Sequence, residues 1–165
     1  MKIENTKDAL ILSGFEEFIA RILNQITLCS DAEAGSKAAE RLYSNPSEEA
    51  ELNADWKEYV HPDLKQLFES ANDVVNGDLA GIQQTSKGEK PEFALRIPLS
   101  HAESWLSSLN QARLALAADF DIAETDMGSG PKTISTEREL AIFQIDLYAF
   151  LQECLVQRMT NDFEL

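Results

Sequence analysis

Four polar residues set into the largely apolar surfaces of two stretches are the chain's foremost candidates for chemistry: Asn110, Arg113, Gln152 and Glu153. At 100° per residue, Trp105, Leu109, Leu116 and Phe120 form one helical stripe, flanked by Leu106 and Ala117, and Arg113 falls inside it. A guanidinium in an apolar stripe is costly without a partner. It must meet a carboxylate, carbonyl oxygens or water, or snorkel outward along its stem. The second stretch is apolar over most of its circumference: Leu140, Phe143, Leu147, Phe150, Leu151, Cys154 and Leu155, then Ile145, Tyr148 and Val156. Asp146, Glu153 and Gln157 form a narrow polar arc there, and Gln152 lies apart from it. Arg113 is therefore expected to pair with Glu153 or to hydrogen-bond Gln152, with Asn110 nearby. Two roles fit this cluster. One is a buried polar clip that fixes helix register, and the other is a grip on a ligand carboxylate through the guanidinium fork.

Other routes to chemistry find little support. His61 precedes a proline, and His101 sits in a first helical turn. Neither has a histidine or cysteine partner at metal spacing, so no metal site is predicted. Cys29 and Cys154 lie on or beside apolar helix faces, with no paired base to make either a nucleophile. Glu-x-x-His repeats of a di-metal bundle are absent, as are phosphate-loop, dinucleotide and nucleophile-elbow patterns. No catalytic residue and no cofactor is predicted.

The charge is informative. Twenty-nine acids oppose 14 bases, for a net −15 over 165 residues. Such a chain repels phosphate backbones and anionic membrane surfaces unless its bases cluster, and no cluster is visible. Nucleic acid and membrane are excluded as expected partners. Between Asp31 and Asp78 twelve acids face four bases, leaving −8 in that stretch. This is either a solvated helical face or a docking surface for a basic protein partner. No run of eighteen apolar residues occurs, and the start lacks a signal-peptide pattern, so cytoplasmic residence is expected. Two cysteines fit a reducing compartment.

These residues need helices to position them. The length fits one domain, 1–165, able to bury about two-thirds of its unfolded surface. Ala9–Leu12 reads as an extended piece. Ser13 and Glu16 have capping-box spacing for a helix burying Phe15, Phe18, Ile19, Ile22, Leu23 and Ile26. Ser30 and Glu33 repeat that spacing for a weaker helix ending near Tyr43. Glu48–Val60 reads as a helix broken by His61-Pro62, and Pro62 suits the first turn of a helix carrying Leu64, Leu67, Phe68, Ala71, Val74 and Val75. Gln83–Pro91 reads as a loop, and Phe93, Leu95 and Ile97 alternate as a short strand. Ser100 with Glu103 and Thr136 with Glu139 are predicted to cap the two helices of the polar cluster, separated by a loop from Glu124 to Ile134. The unit Leu12-Ser13-x-x-Glu16-x-Phe18-Ile19 recurs 87 residues later as Leu99-Ser100-x-x-Glu103-x-Trp105-Leu106. Either good helix starts look alike, or the two extended pieces pair as a small two-stranded antiparallel ribbon. The expected fold is mainly α, all-alpha apart from such a ribbon: a compact bundle of five or six helices.

The run from Trp105 to Leu116, with Trp-Leu, Leu-Asn and Arg-Leu-x-Leu in one helix, resembles an uncharacterised bacterial family. That family is known as domain of unknown function two thousand and seventeen. Tyr148, Leu151, Gln152, Glu153, Leu155, Val156 and Gln157 match its late helix, and Trp105, Leu109, Tyr148 and Leu151 form the motif core. Gln111 departs from the pattern, which has an acid after the asparagine. The resemblance implies no established activity. It implies gene neighbourhood with the adaptor that delivers substrates to the Clp protease, and for some members a transcriptional-regulator label. The leading expectation is a non-catalytic regulatory or adaptor protein that binds another protein or pairs as a homodimer. The alternatives are a small-ligand binder or enzyme using Arg113, and a transcriptional regulator, which the net charge disfavours.

Overall fold

The structure, a computed structural model, describes residues 1–33, 35–86, 90–127 and 133–161. The glycine- and proline-marked part of the predicted 124–134 loop, Gly128 to Pro131, lies outside them. The chain opens with strands β1 (Lys2–Asn5) and β2 (Ala9–Glu16), then short helices α1 (Glu17–Asn24), α2 (Ile26–Ser30) and α3 (Lys37–Leu42). Helix α4 (Ala50–Asp55) runs through a π turn, Trp56–Val60, into α5 (His61–Leu79). Strands β3 (Gln83–Ser86) and β4 (Glu92–Pro98) precede the long helices α6 (Ala102–Asp119) and α7 (Glu137–Asn161).

The predicted ribbon is the centre of something larger. β2 and β4 pair antiparallel, with Leu10 opposite Ile97 and Leu12 opposite Leu95. They sit inside a four-stranded sheet of order β1-β2-β4-β3. The all-alpha, two-strand expectation is thus corrected to a mainly helical fold with a full sheet. Both outer strands escaped notice because they are edges. Lys2–Asn5 and Gln83–Ser86 bury little, so they lack the apolar alternation that marks a strand, and Gln83–Ser86 reads as loop.

The capping signal at Ser13 and Glu16 is overridden. Both residues lie in β2, whose Leu10 and Leu12 are buried against β4. Each buried leucine contributes about 1.5–3 kcal/mol, against about 1 kcal/mol for a cap. A register shift follows Leu12, where Gly14 takes φ +63°. The extra residue flips the alternation, so that Phe15 rather than Gly14 faces inward and stacks on Phe93 across the ladder. Phe18, placed in the core by periodicity, is instead half-exposed against Phe143.

Two other caps move. Ser30 ends α2, its hydroxyl bonding Thr27 O, and Ser36 caps α3 by accepting from Ala39 N. Ser100 lies in a 3-10 turn, Leu99–His101, and caps nothing. The Thr136–Glu139 box forms as predicted: Glu139 N donates to Thr136 Oγ1 (3.1 Å), and Glu139 Oε2 accepts from Thr136 N (2.9 Å). The break at His61-Pro62 does not occur. Pro62 has no N–H, and its ring would strike the carbonyl four residues back. The π turn relieves this by bonding His61 N–H to Trp56 O, five residues back, and the helix continues.

The core lies between the sheet and the long helices. It centres on Leu10, Leu12, Phe15, Leu95, Ile97, Trp105, Leu109, Tyr148, Leu151 and Leu155.

Candidate functional site

Arg113 and Gln152 meet. Arg113 Nη1 donates to Gln152 Oε1, and Gln152 Nε2 donates to Leu106 O (3.1 Å), so one amide ties α7 to α6 twice. Arg113 is half-buried, and its Nε is buried without a hydrogen-bond partner. Glu153 is exposed and accepts from Gln157 Nε2, one turn along its own helix (2.6 Å). Asn110 is exposed on α6. Of the four candidates, the fold brings together Arg113 and Gln152 and leaves Asn110 and Glu153 on the surface. Trp105, Leu109, Tyr148 and Leu151 are all in the core, and the Tyr148 hydroxyl donates to Ile22 O (2.9 Å). Burial, and beyond it the proximity of Cys29, holds that hydroxyl far above the usual tyrosine range.

A second polar seam runs along α5, apart from the residues singled out in the sequence. The Trp105 indole donates to Asp78 Oδ2 (2.8 Å), and His101 Nδ1 lies 3.0 Å from the same oxygen. Only 11% of the Asp78 side chain is exposed. The Ser108 hydroxyl donates to Asn72 Oδ1 (2.7 Å), with Ser30 Oγ 3.0 Å from that oxygen, and Thr27 donates to Asn76 Oδ1 (2.7 Å). Asn72 and Asn76 sit four apart, beside the buried Ala71 and Val75. Asparagines at helical spacing flanking an apolar stripe were the readable signal.

The exposed part of α5 differs from the rest. Val60, Leu64, Leu67, Ala71 and Val75 follow one another by threes and fours and form a single stripe. Its C-terminal half is core: Ala71 and Val75 are buried. Its N-terminal half leaves the core, with Leu67 63% and Val60 46% exposed. Tyr59 and Leu52, nearer the start of this arm, are 67% and 50% exposed. Neither α4 nor the π turn buries a residue.

Beside the stripe lies a groove of about 650 Å3 between α3 and α5, its floor formed partly by Ser30 and Asn72. Three rings line it: His61 meets Tyr43 edge-on at 4.4 Å, and Tyr43 meets Phe68 at 5.8 Å. The Trp56 ring lies outside the lining, 5.7 Å from His61. Asp31, Glu40 and Glu69 line it together with Lys57 and Lys65. Burial, then the fields of Glu69 and Asp31, raise the Tyr43 hydroxyl above its ordinary range. A smaller cavity lies between β1 and α7, lined by Ile3, Leu10, Phe150 and Cys154 among others, and Arg113 lines neither.

Among the described residues no group of three or more histidine, cysteine or carboxylate side chains could hold a metal ion, and no helix is long and apolar enough to cross a membrane. Cys29 is pushed up to about 11 by burial and, secondarily, by Asp119, so its thiolate is scarce at neutral pH. Open geometry is found on α5 and its groove, at the β1–α7 cavity, and at exposed apolar residues such as Leu28 and Phe150.

No match was found among curated proteins or solved structures. The Domain of unknown function (DUF2017) family matches residues 7–159, nearly the whole chain, including both motif helices and the α5 arm. The chain belongs to the DUF2017 family.

Proposed function

We propose that the chain is a non-catalytic regulatory or adaptor module that works by binding another protein through the exposed half of α5. The observation that carries this reading is the stripe that starts in the core at Val75 and Ala71 and runs out of it at Leu67 and Val60. A helix normally ends its apolar stripe where its cover ends, because exposed leucines add nothing to folding. Apolar side chains grouped on one projecting helix, rimmed by charge, are the usual anatomy of a protein-binding surface. The contacts of Arg113 Nη1 with Gln152 and of Asp78 with Trp105 support the reading indirectly, since these groups are engaged with one another. A homodimer through this face would set like charges together, for seven acids and two bases lie between Glu48 and Glu69.

The test is a photo-crosslinking residue placed at Leu67 or Tyr59 in cells, with Asn110 as the exposed control. One discrete adduct at both α5 positions, absent at Asn110, is expected. Adducts of the chain with itself alone, or the same adducts from all three positions, would sink the reading.

A further inference from the structure

We propose that the occupant of the exposed α5 stripe is a basic amphipathic helix that also seats an arginine or lysine side chain in the groove between α3 and α5. This rests on the protein-binding reading above and names the partner's chemistry. The stripe residues Val60, Leu64 and Leu67 repeat by four and three, the spacing that a facing helix matches with its own apolar side chains. The groove opens on the adjoining face of the same helix, where His61, Lys65, Phe68 and Asn72 also repeat by threes and fours. A partner helix laid on the stripe therefore has side chains over the groove mouth.

Volume and chemistry then select the side chain. A groove of about 650 Å3 admits a long side chain and its head group. The rings of Tyr43 and Phe68 offer π surface, which attracts a guanidinium or ammonium. The sign comes from the carboxylates. Asp31, Glu40 and Glu69 outnumber Lys57 and Lys65, and Lys65 is already 3.7 Å from Glu69. The surrounding segment extends the same field, so a basic segment is drawn in and an acidic one repelled. Arginine suits the site better than lysine, because a planar guanidinium stacks on rings while meeting a carboxylate at its edge.

The test uses the full chain and three labelled synthetic helices with leucines at three-four spacing. Their polar positions carry arginine, its uncharged isostere citrulline, or glutamate. Binding is read by fluorescence anisotropy at 50 mM and 200 mM salt. The arginine helix should bind at least tenfold more tightly than the citrulline helix at low salt, and the glutamate helix more weakly still. The double variant D31N/E69Q should weaken the arginine helix about fivefold and leave the citrulline helix unchanged, and Leu67→Ser should weaken both. Neutralising two remote exposed acids, Glu103→Gln and Glu124→Gln, should change the affinity less than twofold. Citrulline or glutamate helices binding as well as the arginine helix would overturn the proposal. So would an equal loss from the remote pair, or no loss from D31N/E69Q. If none of the helices binds while the Leu67 adduct forms in cells, this inference fails and the protein-binding reading stands.

Discussion

Asp78→Ala probes the α5–α6 seam most sharply. The carboxylate is nearly buried and accepts the indole N–H of Trp105, itself fully buried, at 2.8 Å. Removing it leaves that N–H with no acceptor in an apolar setting, a penalty of about 1–3 kcal/mol. The contact to His101 at 3.0 Å involves a ring about two-fifths exposed, so screening leaves it a minor share. A total near 2–3 kcal/mol follows, and for a chain of this length each kcal/mol shifts Tm by about 2–4 °C. Thermal unfolding followed by circular dichroism should show Tm lower by about 4–12 °C. Asp78→Asn keeps an acceptor oxygen and should lose less than half as much. A double-mutant cycle with Trp105→Phe should then return a coupling of about 1–2 kcal/mol. An Asp78→Ala protein melting within 2 °C of the parent, or a coupling near zero, would refute the claim that this carboxylate holds α5 to α6.

Further outcomes follow from the same geometry. Gln152→Ala removes the acceptor of Arg113 and the donor to Leu106 O and should cost about 1–3 kcal/mol in urea unfolding, whereas Glu153→Ala, on the surface, should stay within about 0.5 kcal/mol. Cys29, raised to about 11, should react with a thiol reagent at pH 8 on the order of a hundredfold more slowly than the same cysteine in the urea-unfolded chain. Thr136→Ala should destabilise the start of α7 by about 1 kcal/mol. Hydrogen bonds from Ser135 and Thr136 hold the Glu139 carboxyl down at about 2. Its contribution is therefore complete above the ordinary glutamate range and is lost as pH falls toward 2; an acid titration of Tm for Glu139→Gln against the parent should show the two converging at low pH.

The legible parts of the fold were those where local chemistry and burial agree. The strand Phe93–Ile97 alternates cleanly and pairs with the extended piece that its sequence echo pointed to. The Thr136–Glu139 box stands before a helix that nothing competes for. The same Ser-x-x-Glu spacing failed at Ser13, because cross-strand burial of Leu10 and Leu12 outweighs a cap. At Pro62 the residue-level rule was sound, but the chain had a third option, a π turn, that no periodicity announces. Arg113 and Gln152 could be placed from their conflict with an apolar stripe. Asp78 could not, since its partners Trp105 and His101 are more than twenty residues away and the surrounding α5 sequence looks merely acidic. The aromatic groove is hidden for the same reason. Tyr43 reaches His61 and Phe68 only once α3 packs on α6 and brings the chain beside α5.

The central claim is that the stripe leaving the core on α5 is where another protein binds. Its most direct test is the in-cell crosslinking yield at position 67, measured in the otherwise native chain and in the Val60→Ser background. Val60 is about half exposed, so the serine should leave Tm within about 2 °C. The adduct should fall at least severalfold in the serine background. An adduct of undiminished yield in that background would contradict the claim.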